Sequence, residues 1–425
     1  MKRKLKNCIS FALFVVLLLG AIIGCANLLE YKEARIKYTP FFESKTNFDV
    51  IFMGTSHMYN SILPMELWKE YGIASYNWGY SNCTPAESYY LLREIVKYTS
   101  PKVIVLDLYG LVEYNSNKNG KYQDNRIEQQ HVQFDSLPLS LNKIVGTQDI
   151  FDNYAHNYDF LWNFAMYHNR WTELSQNDFD YSYTTEKGAR FLTGYGSFHF
   201  TPKTFEEVYV PDTVCYNYFL KILEYCEENC IPLICTYTPY AAGETNQKIA
   251  HSIGSVLEQY EGCQYVDMFY QNIIDFSTDM YTDGHLNYSG ACKATSWLGK
   301  YLVKNYQLSD YSSNEHWLTD YKDYLEYKTQ NLKDQTTLVN HLLLLYGDDF
   351  ISNLEIYDAT VADTALLWQL AENVAISTEI VPQDSDYCAK LTVTSATTGD
   401  PITERYFSYD HNKVFDIQNI TVVKN

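Results

Sequence analysis

The chain has 425 residues, 46% of them hydrophobic, enough to bury a large core and to hold more than one domain. Its formal net charge is −20, and the first 29 residues hold four bases and no acids, which leaves about −24 for the rest. So acidic a surface excludes nucleic-acid binding, which depends on neutralising phosphates, and leaves any membrane attachment to the N-terminus.

In chain order, the first element is the basic stretch Lys2, Arg3, Lys4 and Lys6, followed by an uncharged apolar run from Cys8 to Leu29. At about 1.5 Å per helical residue this run can cross a hydrocarbon core ~30 Å thick. The positive-inside rule keeps the bases in the cytoplasm and sends residues 30–425 out. Three forms fit: an uncleaved signal-anchor, a lipoprotein in which Ile22-Ile23-Gly24-Cys25 serves as a lipobox and Cys25 carries lipid, and a cleaved secreted chain.

A strand is predicted over 48–53, ending in Gly54-Thr55-Ser56-His57, and a short helix over 64–71. A second strand, 74–77, runs into Trp78-Gly79-Tyr80. Residues 85–98 have a helical period, with Tyr89, Leu92, Ile95 and Val96 on one face. Residues 102–107 form a strand of parallel-sheet type, apolar between Lys102 and Asp107. Residues 112–212 break the pattern; they are polar and aromatic and read as an insertion or lid, with a helix near 158–172. The alternation resumes with a helix over 212–229, a strand over 231–236, a helix over 246–259 and a strand over 264–267. A closing helix begins near Ser289 and buries Ala294, Trp297, Leu298, Tyr301 and Leu302. Strands and helices alternating in this way indicate an α/β layered domain with a parallel sheet. Residues 307–425 begin with a tyrosine-rich helix near 315–332. They go on to alternating segments at 391–394 and 420–423, a small β-rich appendage. The expected division is 1–29, 30–306 and 307–425.

The ten cysteines are scattered and include no CxxC pair, which suits buried free thiols better than a disulfide framework. The 40 tyrosines offer apolar faces with hydroxyl tips, a composition suited to sugar binding and to protein interfaces.

Two segments could carry chemistry. Ser56 stands where a strand turns into a helix, with Gly54 allowing the bend; alone, it is equally an N-cap serine. A serine hydroxyl becomes a nucleophile only when a base takes its proton. Asp283-Gly284-His285 supplies such a base in His285 and an acid in Asp283 to orient it. One segment ends the first strand and the other precedes the last helix, and this joint placement points to a Ser-His-Asp site.

These pieces resemble the SGNH (GDSL-like) hydrolase superfamily, in particular its membrane-anchored bacterial branch acting on cell-surface polymers. The matching residues are Gly54-Thr55-Ser56-His57, Tyr76-Asn77-Trp78-Gly79, the strand at 103–107, the strand at 231–236 with Pro239 after it, and Asp283-Gly284-His285-Leu286-Asn287. The resemblance covers residues 46–306 apart from the insertion. It implies a flavodoxin-like three-layer α/β/α fold, with Ser56 as nucleophile, His285 as base, Asp283 as acid, and the N–H groups of Ser56 and Gly79 forming the oxyanion hole. Two departures stand out. The superfamily has Asp-x-x-His, whereas Thr282 lies three residues before His285; Asp-x-His resembles the alginate O-acetyltransferase-like branch. The third block, Leu106-Asp107-Leu108-Tyr109-Gly110, lacks the family's asparagine, and Asn82 is a candidate for that second donor.

His57 reads as structural. Asp275, Asp279 and Asp283, spaced by four, read as a solvated acidic loop, and no metal or cofactor motif occurs. The expected activity is an extracytoplasmic esterase or O-acyltransferase. It would act on acyl groups, acetyl first among them, of a cell-surface glycan, beside a membrane acyl-transfer partner. The competing expectation is an inactive SGNH-like protein that binds glycan or scaffolds an assembly, and a further one is an adhesin using the C-terminal region.

Overall fold

The computed structural model describes residues 2–111, 131, 133–151, 157–211, 213–374, 376–381, 386–410 and 415–424. Part of the expected insertion, and the first residue of the helix expected from Asp212, fall outside these.

Helix α1 (Lys2–Leu29) is long and apolar enough to cross a membrane or to serve as a signal sequence, and it runs unbroken through Cys25. Helix α2 (Lys32–Glu43) follows and turns its aromatic face inward. Tyr38 stacks on Trp78 at 4.3 Å between ring centroids, and Phe41 meets the rings of Phe48, Tyr76 and Trp78.

Then come β1 (Val50–Met53), α3 (Ser56–Ser61), α4 (Pro64–Tyr71), β2 (Ser75–Asn77), α5 (Pro85–Ile95) and β3 (Val103–Asp107). Helix α5 opens on a capping box, Thr84 with Glu87, and on Pro85 in its first turn, the signals expected of a helix start. Past the insertion lie α6 (Leu141–Ile150), α7 (Asn163–Tyr167), α8 (Val214–Glu228), β4 (Leu233–Thr236), α9 (Glu244–Leu257), β5 (Cys263–Tyr265) and α10 (Tyr288–Asn305).

The five strands form one parallel sheet in the order β2-β1-β3-β4-β5, with Ile51 paired between Tyr76 and Ile104. Strands β1 to β4 are buried along their whole length, which is why β1 and all but the last residue of β3 and β4 read as apolar runs; β2 is the polar exception, Ser75-Tyr76-Asn77. The crossover from β1 to β2 and the later crossovers run in opposite directions. Right-handed connection therefore puts α4 on one face, where it packs on α10, and α5 on the other, where it packs on α8.

The helix expected at 158–172 is broken. Helix α7 is flanked by 3-10 turns at Asn157–Leu161 and His168–Thr172. Tyr158, Trp162 and Trp171 are exposed, so no continuous apolar stripe is buried to hold one long helix.

The C-terminal region contains α11 (Glu315–Asp334), α12 (Leu338–Leu344), β6 (Phe350–Ile356), α13 (Ala359–Ala362), α14 (Ala365–Asn373), β7 (Ser377–Ile380), β8 (Ala389–Ser395), β9 (Pro401–Ser408) and β10 (Thr421–Lys424). Its mixed sheet has the order β10-β9-β8-β6-β7, parallel only between β6 and β7. One buried apolar core continues from the first sheet through α11 and α12 to Leu354 and Leu391. A buried ionic knot reinforces the join. Lys328 of α11 is fully enclosed, with its Nζ 2.8 Å from Asp349 Oδ2 and 3.6 Å from Glu66 Oε1 of α4. Lys69 also meets Asp349, and the hydroxyls of Tyr321 and Tyr324 donate to Asp349 and Glu66.

Candidate active site

Ser56 opens α3 just beyond the carboxyl end of β1. Gly54 makes this turn possible: its φ is +134°, and a Cβ there would lie 2.7 Å from the Cβ of Asp107 on β3. Thr55 caps α3, its Oγ1 accepting from the His57 N–H at 3.2 Å and donating to Asp107 Oδ2 at 3.2 Å. Asp107 also accepts from the backbone N–H groups of Tyr109 and Thr238. Burial outweighs these hydrogen bonds and pushes its carboxyl up to about 7.

From the far end of the domain, His285 brings its Nε2 to 2.9 Å from Ser56 Oγ. Several ties hold its loop. Asn287 caps α10 by accepting from the Gly290 N–H, and its amide donates to the carbonyls of Thr278 and Met280. Met280 and Leu286 bridge as in a short antiparallel pair. Asp279 is completely buried and paired with Lys293 at 2.7 Å, which removes it from the expected solvated acidic loop. Among the described residues no cluster of potential metal ligands forms.

The partner of His285 Nδ1 is the hydroxyl of Thr282, at 3.0 Å. This corrects the expectation for Asp283: its side chain is exposed and makes no hydrogen bond to the imidazole among the described residues. The backbone turns it outward, where its carbonyl accepts from the Ala241 N–H. Burial lowers the pKa of His285, and the charge of Asp283 opposes that from outside. The imidazole is therefore neutral near pH 7, as a general base must be.

The oxyanion candidates separate likewise. The Gly79 N–H donates to Asn77 Oδ1 at 2.9 Å within the buried turn after β2, so in this structure it is committed elsewhere than the expected oxyanion hole. Asn77 is held in turn by donating to the carbonyls of Met58 and Ile62 at the end of α3. The Gly79 carbonyl accepts from Lys37 of α2, whose ammonium burial pushes down to about 7 and which lies 4.1 Å from the Tyr59 ring. Asn82 adopts a left-handed backbone, φ +58°, in the adjoining turn, a strained conformation for a non-glycine residue. Its amide lies 3.4 Å from Ser81 Oγ.

His57 is buried beside the pair. Its ring stacks on Tyr109 at 3.7 Å, meets Tyr240 edge-on, and stands 5.2 Å from the His285 ring. Burial, and then His285, hold its pKa well below the ordinary value. Gly284 lies beside it: a Cβ there would sit 3.5 Å from the imidazole, an ordinary van der Waals contact.

Sequence reasoning missed Thr282 as the partner of His285 and Asn77 as the acceptor for Gly79. Thr282 carried one signal, its place three residues before the histidine.

No protein-family model matches the chain, and no curated protein does. Among solved structures, a protein from Streptococcus pneumonia named for platelet activating factor is 13% identical. The match covers 68% of this chain and 98% of that one at a TM-score of 0.31, too low to show a shared fold.

Proposed function

We propose that the chain is an SGNH-type serine esterase or O-acyltransferase, anchored by α1 and acting outside the cytoplasm on acyl groups of a cell-surface glycan. The observation that carries this reading is the 2.9 Å contact between Ser56 Oγ and His285 Nε2 at the carboxyl end of a parallel sheet. The strand order 2-1-3-4-5 is that of flavodoxin-like sheets, whose ligands sit outside the carboxyl ends of the strands.

In the proposed reaction Ser56 Oγ attacks the acyl carbonyl while His285 Nε2 takes its proton. The tetrahedral intermediate collapses as His285 returns that proton to the departing oxygen, leaving an acyl-serine. Water or a sugar hydroxyl then attacks, again deprotonated by His285, and the acyl group leaves Ser56 as His285 returns that proton to Oγ. Thr282 accepts from His285 Nδ1–H and fixes the tautomer that leaves Nε2 free to act as base. The Ser56 N–H, with the side chain of Asn82 as candidate partner, faces the developing oxyanion. A membrane acyl-transfer partner as donor, and lipidation at Cys25 in place of a spanning α1, belong to the same proposal.

A second reading, an inactive glycan-binding or scaffold protein, draws on two observations. A hydroxyl rather than a carboxylate supports His285, and the Gly79 N–H is already engaged. The test is release of 4-nitrophenol from its acetate ester, together with fluorophosphonate labelling, by the chain and by Ser56→Ala. Turnover and labelling that vanish in the variant support the enzyme. A folded chain that shows neither supports the binding protein.

A further inference from the structure

The chain has seven tryptophans, and the two most exposed, Trp162 at 51% and Trp171 at 69%, belong to one segment that packs on α1. The other five are buried or partly so. Helix α7 and the 3-10 turn after it, which begin and end next to these tryptophans, pack directly on α1. From that turn Arg170 donates to the carbonyl of Leu29, lies over the Tyr31 ring at 3.9 Å and pairs with Asp178 at 2.9 Å. The Tyr31 and Tyr167 rings meet edge-on at 5.5 Å. These contacts fasten the segment to the helix. Tyr158 and Phe179, nearby in sequence, are exposed as well.

Depth along α1 decides what this surface meets. Lys6 is the last charge before the apolar run. Counting outward from it at about 1.5 Å per residue, ~30 Å of hydrocarbon ends near Ala26. The cover on α1 begins at this level, with Ile22, Ala26 and Leu28 partly enclosed and Leu29 buried. Tryptophan, with an apolar body and one N–H, is the side chain best suited to the layer between acyl chains and water.

We propose that Trp162 and Trp171 form a foot that enters the headgroup layer of the leaflet from which α1 emerges, and so fixes the tilt of the extracytoplasmic domain over the membrane. The proposal rests on α1 being the membrane span. The strongly acidic chain gains nothing from anionic lipid, so the foot binds through its aromatic rings and holds in zwitterionic bilayers at high salt.

The test uses the full chain in phosphatidylcholine vesicles whose acyl chains are brominated either near the headgroup or near the chain end. Helix α1 contains no tryptophan, so the span itself gives no signal. Tryptophan fluorescence should be quenched more by the shallow bromines, and this quenching should be lost in Trp162→Phe/Trp171→Phe. Quenching unchanged in the double variant, or absent from protein that floats with the vesicles, overturns the foot; a protein partner on this face gives that second result. Protein that fails to float after an alkaline wash overturns the span, and the foot with it.

Discussion

Replacing Thr282 with valine keeps a β-branched side chain of similar volume and removes only the hydroxyl that meets His285 Nδ1 at 3.0 Å. A neutral hydrogen bond contributes about 0.5–1.5 kcal/mol net. At about 1.4 kcal/mol per tenfold in rate, kcat/KM for an activated acetate ester should fall about 2- to 13-fold. Asp283→Asn removes the charge of an exposed side chain that acts on His285 through its charge, with no hydrogen bond to the imidazole among the described residues. Exposed charges are well screened, so the loss should stay below about fivefold. A triad in which Asp283 orients the histidine predicts the reverse, a loss of about 10⁴ on the amide substitution. The assay is 4-nitrophenol release by the full chain and both variants from pH 5 to 9, on preparations matched by circular dichroism.

The pH profile adds a sign. His285 works as a base only when neutral, and burial has lowered its pKa, so the acid limb lies below that of an ordinary histidine. Asp283 raises that pKa, so Asp283→Asn should move the limb to lower pH. Thr282→Asp, with a carboxylate against Nδ1, should move it to higher pH. A near-thousandfold loss in Asp283→Asn beside normal turnover in Thr282→Val would refute the assignment.

Two further predictions concern stability. Asn77→Ala strands the buried Gly79 N–H and the carbonyl of Ile62, while the Met58 carbonyl keeps the Ile62 N–H. At about 1–3 kcal/mol for each buried group left unpaired, partly relieved by relaxation, urea unfolding should register a loss of roughly 2–4 kcal/mol. Lys328→Met leaves the Asp349 and Glu66 carboxylates in a buried knot with Lys69 as the remaining cation among the described residues, a loss of about 3–5 kcal/mol. The wild-type knot also sets an acid limit. Against the effect of burial, Lys328 and then Lys69 hold Asp349 well below the usual carboxylate range. Its contribution is therefore complete above the unfolded value of about 3.9 and lost as pH falls below it. Urea midpoints should drop from pH 5 to pH 3 in the wild type, and less in Lys328→Met. Equal drops in both would remove the knot from the account.

The sheet was legible because its strands are covered on both faces. Residues 50–53 and 103–107 consequently have no polar alternation to blur their limits. The contact between Ser56 and His285 was legible in outline, because Gly54 marks the turn after the first strand and the His285 segment stands just before the last helix. The orientation of residues 279–287 was not. It depends on the Asp279–Lys293 pair, the Met280–Leu286 bridge and the Asn287 amide, all contacts that exist only after folding. Together they leave Asp283 exposed and bring the Thr282 hydroxyl to His285 Nδ1, the contact expected of Asp283. At 158–172 the error ran the other way. Aromatic residues at helical spacing suggest a buried stripe, but here the rings of Trp162 and Trp171 stay outside.

The link between anchor and site restricts where the proposed substrate can be. Lys37, which donates to the carbonyl of Gly79 in the loop beside Ser56, lies on α2 eight residues beyond Leu29. Eight residues reach at most about 28 Å when fully extended, and about 12 Å as a helix. With α1 as the span, the loop beside Ser56 is thus tied within roughly 30 Å of the outer membrane surface. The tie is a hydrogen bond onto a buried turn rather than a linker, so the site cannot swing far from it. That geometry favours acyl donors and acceptors carried in or near the membrane, such as lipid-linked glycan or the acyl group passed on by a membrane partner, over esters free in solution. It also ties the two proposals together. If the foot holds the domain at a fixed tilt, Ser56 keeps one constant orientation toward that layer, and a variant lacking the foot should lose turnover on a membrane-borne acceptor while retaining it on 4-nitrophenyl acetate.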